Sequence, residues 1–302
     1  MRELVVLSGK GGTGKTSLTA AFASFAKNKI LCDADVDAAD LHLLTSPDIK
    51  QKQDFKGGGI AVINPNKCSE CGICRQLCRF DAIKENYEVM EGECEGCGVC
   101  VDFCPEKAID FPIQTCGEWY ISDTRFGEMV HARLGIAEEN SGKLVTLARQ
   151  EAKKLSEKRN LDLIITDGPP GIGCPVIASL SGASAILIVT EPTVSGLHDM
   201  ERVADLASHF NISGMICINK YDLNIEKALE IEEAGKKRNI PVVGKIPFDP
   251  IFTYAMVAGK TVCEYNDKSK TVKEIKAVWE RIISSPAMNS KGILDFNNII
   301  RR

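Results

Sequence analysis

The amino-acid sequence predicts an α/β protein: a doubly wound, mainly parallel sheet with helices on both faces, carrying a small α+β insert. Three observations predict it. A short, wholly apolar run, Leu4 to Leu7, leads through a glycine-rich loop into a segment with helical apolar spacing at Leu18, Phe22 and Phe25. Further short apolar runs, each a candidate buried strand, lie at 29–32, 163–166, 185–189, 215–218 and 242–246. Between residues 68 and 104 stand eight of the thirteen cysteines, in a segment that reads as a unit of its own.

A length of 302 residues allows one large domain, or one domain with an insert. Hydrophobic residues make up 44% and charged residues 26%, enough for a sizeable core. Lys and Arg number 37 against 41 Asp and Glu, a net charge of −4, which speaks against nucleic-acid binding by bulk charge. No apolar run approaches the roughly 18 residues of a membrane span. The opening MRELVVLSGK, with Glu3, does not read as a secretory signal. The cysteine count is odd and the positions are clustered, which points to metal in a reducing cytoplasm rather than to disulfides.

The loop after the first strand is Ser8-Gly-Lys-Gly-Gly-Thr-Gly-Lys-Thr16. Gly9, Gly14, Lys15 and Thr16 satisfy the phosphate-loop pattern G-x4-G-K-[ST]. Such a loop folds into a nest of N–H groups that cradles phosphates at a helix N-terminus. Gly9, Gly11, Gly12, Thr13, Gly14 and Ser17 are expected to line it. Lys15 is expected to reach the β- and γ-phosphates, and the Thr16 hydroxyl to ligate Mg²⁺.

Lys10 extends the motif to K-G-G-x-G-K-T. The motif resembles the deviant Walker A box of the MinD/ParA/Mrp ATPases, a group that includes the nitrogenase iron protein and the arsenical pump ATPase. The resemblance covers about residues 1–59 and 113–285 and implies an ATP-dependent homodimer in which Lys10 crosses to the partner's nucleotide. Cys32-Asp33-Ala34-Asp35, with Asp40-Leu41, looks like switch I; there Asp35 would orient the attacking water and Asp33 would lie near Mg²⁺. Family members often have Asn where Asp40 stands. Asp167-Gly-Pro-Pro-Gly171 is similar to switch II, in which Asp167 would hold an Mg²⁺-bound water, and Gly168 and Gly171 would sense a γ-phosphate. By the same resemblance Asn219 would read adenine, and Pro247-Phe248-Asp249 would close over the base.

Cys68, Cys71, Cys74 and Cys78 read C-x2-C-x2-C-x3-C; Cys94, Cys97, Cys100 and Cys104 read the same, followed by Pro105. Each cysteine lies 26 residues before its mate, and Ala82-Ile83 and Ala108-Ile109 keep that offset. The spacing is that of bacterial two-cluster ferredoxins, in which the fourth cysteine of each motif ligates the other cluster. Cys68, Cys71, Cys74 and Cys104 are therefore assigned to one [4Fe–4S] cluster, and Cys94, Cys97, Cys100 and Cys78 to a second. Gly72, Gly96 and Gly98 would bring backbone N–H groups to the sulfurs, and Arg79 stands where Pro often follows. Two zinc sites are the alternative, although zinc usually takes C-x2-C pairs set further apart.

The insert is expected at 60–112, entered after Gly57-Gly58-Gly59, with Ile60 to Ile63 as its first strand and its exit near Phe111-Pro112. Ser141-Gly142-Lys143 reads as a loop before a helix over 144–156. The tail, 286–302, is weakly amphipathic and reads as a frayed or packed helix rather than a membrane anchor. Cys32 and Cys217 read as core residues. Cys174 reads as an incidental thiol; the alternative is a metal bridge between two Cys174 residues facing each other across a dimer, with or without Cys116. The four histidines show no ligand spacing, and no Ser/His/Asp or Cys/His constellation is present.

These features lead to the expectation of a dimeric Mg-ATPase, catalysed by Lys10, Lys15 and Asp35, that couples nucleotide state to electron transfer through two [4Fe–4S] clusters to a redox partner. One alternative is a cluster carrier of the Mrp type delivering to an acceptor protein, although the paired C-x2-C or CP-x-C cysteines which that type carries in the C-terminal half of the ATPase are missing, Cys217 and Cys263 standing alone. Another is a MinD-like positioning ATPase that senses redox state.

Overall fold

The computed structural model describes residues 1–135 and 141–289. Its strands are β1 (Arg2–Ser8), β2 (Lys29–Asp33), β3 (Asp48–Gly59), β4 (Val62–Ile63), β5 (Ile109–Asp110), β6 (Ile113–Thr124), β7 (Gly127–Leu134), β8 (Leu163–Pro170), β9 (Ala185–Thr190), β10 (Ser213–Asn219) and β11 (Val242–Ile246). The helices are α1 (Lys15–Phe25), α2 (Leu41–Thr45), α3 (Ile73–Leu77), α4 (Val99–Asp102), α5 (Ser141–Arg159), α6 (Cys174–Leu180), α7 (Val194–His209), α8 (Ile225–Lys237), α9 (Ile251–Val257), α10 (Val262–Tyr265) and α11 (Lys270–Ser284).

Nine strands form one sheet in the order β11-β10-β9-β1-β8-β2-β7-β6-β3. The pairs from β11 through β7 are parallel, and β6 runs antiparallel to both its neighbours. Side chains alternate across a strand, and here both faces are covered. Leu4 and Val6 of β1 therefore enter one core with Leu18 and Phe22 of α1 and Ile275 of α11, while Val5 and Leu7 enter the opposite core with Val176 of α6 and Met200 of α7. Phe22 stacks on Trp279 at 5.5 Å between ring centroids. Burying a ring of that size contributes about 1.5–3 kcal/mol, so this contact anchors the helix that carries the phosphate loop.

Each strand read from an apolar run is present. The sequence reading missed β3, β6 and β7. β3 is the clearest case, because Lys50, Gln51, Lys52 and Gln53 leave it no apolar run. It forms because it pairs with β6 from Asp48↔Asp123 to Gly59↔Ile113 as a long antiparallel ribbon. The helix α5 begins at Ser141, earlier than the 144–156 expected, so Ser141-Gly142-Lys143 is its first turn and not a loop.

The ribbon carries the small unit away from the large sheet. The chain leaves at Gly59 and returns at the adjacent Ile113. The first small strand is Val62–Ile63, shorter than the 60–63 expected, and it pairs with β5. A separate apolar cluster centres on Ala61, Cys74, Ile83 and Ile109. The repeat is structural too: Glu70, Gly72 and Asp81 have positive φ, and so do Gly96, Gly98 and Lys107, each 26 residues on.

Candidate functional site

Parallel α/β sheets place ligand loops at the carboxyl ends of their strands. The loop 8–16 leaves β1 between β8 and β9, the strands that flank it. Gly12 and Gly14 take φ of +80° and +86°, which bends the loop and starts α1 at Lys15. A Cβ on Gly9 would lie 2.1 Å from Asp199 Cβ, so that position admits only glycine.

Charge converges beside the loop. In register, Asp33 of β2 stands opposite Asp167 of β8, and both are fully buried. Lys15 Nζ lies 3.0 Å from Asp167 Oδ1 and 3.2 Å from Asp35 Oδ2. Thr16 Oγ1 donates to Asp167 Oδ2 at 2.7 Å, and Thr19 Oγ1 donates to Asp167 Oδ1 at 3.0 Å. Asp33 accepts from the N–H groups of Asp35 and Leu41, which pins the turn between β2 and α2. Burial pushes the Lys15 ammonium down, but Asp167 and Asp35 outweigh it and hold the pKa above the ordinary lysine range. Burial, then the Asp167 charge, pushes Asp33 well up. Burial also pushes Asp35 up to about 6, against the pull of Lys15.

Three buried carboxylates thus face one buried ammonium. Among the described residues only three buried side-chain polar atoms lack a hydrogen-bond partner; two of them, Thr13 Oγ1 and Asp35 Oδ1, belong to this site. Buried polar groups are ordinarily paired, so these atoms call for a ligand. The residue set suits Mg²⁺ with a phosphate: Mg²⁺ keeps several waters and takes one or two protein oxygens together with substrate phosphates.

Other expected residues take different places. Lys10 Nζ donates to Ser195 Oγ at 3.1 Å and lies 3.7 Å from Glu191 of its own chain. Asn219 is turned inward: its Nδ2 donates to Thr13 O at 2.7 Å, and its Oδ1 accepts from Lys220 N. In place of an exposed edge for a base, it offers a brace behind the phosphate loop. Gly168 lies inside β8, where a Cβ would sit 2.6 Å from Leu7 Cδ2, so strand packing requires it. The N–H of Gly171 donates to Ser8 O at 2.9 Å. Phe248 is exposed beside Pro247, with its N–H on Asp222 Oδ1. Asp40 is exposed before α2, and Ser17 lies in α1.

Sequence reasoning missed Thr19 and Glu191. Thr19 lies one helical turn beyond Lys15, a spacing that could have marked it. Glu191 holds both Lys10 and Lys220, and nothing in the sequence pairs it with either.

The cysteines enclose two cavities. One is lined by Cys68, Cys71, Cys74 and Cys104, the other by Cys78, Cys94, Cys97 and Cys100. The fourth cysteine of each motif has crossed to the other set. Glu70 N donates to Cys68 Sγ at 3.4 Å and Ala108 N to Cys104 Sγ at 3.3 Å. Burial, then the neighbouring Cys94 and Cys97 sulfurs, raises the Cys100 thiol to about 11. No three His, Cys, Asp or Glu among the described residues are placed to hold a single metal ion. Four sulfurs around a cavity suit a larger polynuclear group.

The remaining cysteines separate. Cys32, Cys217 and Cys263 are buried, and burial raises all three thiols, Cys217 and Cys263 to about 12. Cys174 is exposed at the start of α6, whereas Cys116 is buried in β6. Residues 290–302, most of the tail, lie outside the described residues; among those described, no helix is long and apolar enough to cross a membrane.

Fold and loop together define a nucleotide-binding α/β protein. The nucleotide-binding domain family of CobQ, CobB, MinD and ParA matches residues 4–262, and the chain belongs to it. An uncharacterized protein of Methanocaldococcus jannaschii is 33% identical over 93% of this chain and 96% of its own length. The septum site-determining protein MinD of Pyrococcus horikoshii, solved with Mg-ADP, has a similar fold: TM-score 0.59 and 18% identity, covering 94% of this chain and 96% of that one. MinD in a MinC:MinD complex of Aquifex aeolicus gives a TM-score of 0.58 at 20% identity, covering 94% of this chain and 97% of that one.

Proposed function

We propose that this protein is a Mg-ATPase whose nucleotide state governs electron transfer through two [4Fe–4S] clusters in residues 60–112 to a partner protein. The observation that carries the cluster half is the crossed partition of eight cysteines around two cavities. The ATPase half is supported by the family and by the unpaired Thr13 and Asp35 oxygens.

Lys15 and the loop N–H groups bind and orient the phosphates. The Thr16 hydroxyl would ligate Mg²⁺ and Asp167 would hold an Mg²⁺-bound water; the ion would supply charge neutralisation at the transferring phosphoryl group. Asp35 Oδ1 accepts a hydrogen bond from the attacking water. Lys10, on an exposed loop, neutralises phosphate charge across a homodimer after leaving Glu191. Cys68, Cys71, Cys74 and Cys104 hold one cluster, and Cys94, Cys97, Cys100 and Cys78 the other; each supplies one-electron redox chemistry. The chain joins the sites directly: Asp33 fixes the N–H of Leu41, α2 follows, and β3 runs from there to the small unit.

Anaerobic reconstitution tests the cluster half. About eight iron and eight sulfide per chain are expected. Two zinc per chain, with no sulfide, would overturn it. The likeness to MinD proteins of 23–26% identity over 82% of the chain supports a second reading, a positioning ATPase that senses redox state. Membrane or partner relocation with unaltered partner reduction would favour it.

A further inference from the structure

The repeat allows each residue of one cluster motif to be compared with its mate 26 positions on, and the comparison fails at the surface. Leu77, Phe80 and Val99 rim the cavity of the second set, Cys78, Cys94, Cys97 and Cys100, and are 38%, 45% and 36% exposed. The first cavity is lined at the surface by Ser69, Ile73, Tyr87, Pro105 and Glu106; Glu106 is the mate of Phe80, and Ile73, the mate of Val99, is only half-exposed. Phe103, the mate of Leu77, is exposed but lines neither cavity. Exposed large apolar side chains thus line the second cavity and not the first, with Glu95 beside them as the one charged lining residue.

The second cavity lies beside the end of the ribbon. A Cβ on Gly96 would lie 2.9 Å from Gly59 O, the last residue of β3, and Phe111, just before β6, lines the second cavity. The charge around it has one sign. Residues 60–112 hold ten Asp and Glu against five Lys and Arg. Two of the five, Arg75 and Lys84, are tied to Glu85 and Glu93 of the same unit. Asp81, Glu91, Glu95 and Asp102 are all exposed.

We propose that the apolar rim of Leu77, Phe80 and Val99 is the docking face of the electron acceptor, and that the acceptor is a basic electron-transfer protein with an apolar centre. The proposal rests on the cluster reading above. An exposed apolar cluster with a charged surround is the anatomy of a small transient interface, in which the apolar centre gives contact and the charge gives orientation and encounter rate. The electron leaves from the second set, so a seated partner touches the cluster beside the end of the ribbon.

Cytochrome c, a basic haem protein, is the probe. The full chain is reconstituted anaerobically, reduced with dithionite and desalted. One electron then passes from a reduced cluster to the ferric haem, leaving an oxidised cluster and a ferrous haem. Binding is read separately, by calorimetric titration of the oxidised protein with ferric cytochrome c at low salt. Phe80→Ser is expected to weaken binding and to slow the second-order rate, each about tenfold, with iron content and EPR spectrum unchanged. Phe103→Ser is expected to leave both within about twofold, and Glu91→Gln with Glu95→Gln to flatten the salt dependence. Equal effects of Phe80→Ser and Phe103→Ser, or no effect of Phe80→Ser in cluster-loaded protein, would overturn the docking face alone. Failure of the wild-type chain to load iron and sulfide would overturn the cluster reading, and the docking face with it.

Discussion

The phosphate-loop region and the cysteine unit solve opposite problems. The first sits in a large double-faced core, with Leu4, Val5, Val6, Leu7, Leu18 and Phe22 fully buried beneath it. It has apolar support in excess and uses it to hold three carboxylates away from water. The second has four buried members in its apolar cluster, two exposed aromatic rings and eight cysteines. A unit of about 50 residues rarely makes a sufficient core alone, and bound metal is the usual supplement. One region thus buries charge within a large core, while the other, on the proposed reading, would draw on bound clusters for the core it lacks.

The largest expected effect follows directly. Stripping iron from the whole protein should abolish hydrogen-exchange protection at Ala82, Ile83, Ala108 and Ile109 while leaving β1, β8 and β9 protected. Loss of protection in both regions together would erase the contrast.

The next test acts on charge in the core. Lys15→Met leaves Asp167 and Asp35 without their ammonium, and should cost about 3–5 kcal/mol of stability in denaturant titration as well as abolish hydrolysis. Asp35→Asn acts with the opposite sign on stability. It removes a like charge while Lys15 keeps Asp167, so the protein should become more stable although hydrolysis falls about 10²–10⁴-fold. A fall in stability for both variants would show that Asp35 is a structural partner rather than a held-back acceptor.

Asp35 also sets a pH dependence. Its folded pKa, pushed up to about 6, lies above the unfolded value of about 4. The folded state therefore binds the extra proton, and this group's contribution to stability grows as pH falls from about 7 toward 4. Hydrolysis, which needs the carboxylate, should fall over the same window. Asp35→Asn should lose that pH-dependent component of stability.

The smallest expected effect is at the seam between the regions. Lys143 Nζ donates to Gly57 O at 3.1 Å, tying α5 to the end of the ribbon. Lys143→Met should cost no more than about 1 kcal/mol, because the bond is exposed, and should still loosen exchange protection in β3.

The two regions also differ in how far the sequence revealed them. The cysteine partition was legible because the spacing, repeated at a 26-residue offset, matches that of bacterial two-cluster ferredoxins. The buried parallel strands were legible because both their faces are apolar. The ribbon β3–β6 was not: its stability comes from pairing and not from its own composition. At the nucleotide site, the residues of the phosphate loop and the Asp of each switch were legible as motifs. The inward turn of Asn219 and the Glu191 hold on Lys10 were not, since each depends on contact between segments about 180 residues apart or more.

The central claim, that nucleotide and cluster share one free energy, is tested most directly by an anaerobic EPR-monitored redox titration with no nucleotide, with Mg-ADP and with a non-hydrolysable Mg-ATP analogue. The account predicts that the midpoint potential of at least one cluster shifts by about 60 mV or more between the nucleotide states, a coupling near 1.4 kcal/mol for one electron. Coincident curves in all three conditions would contradict it.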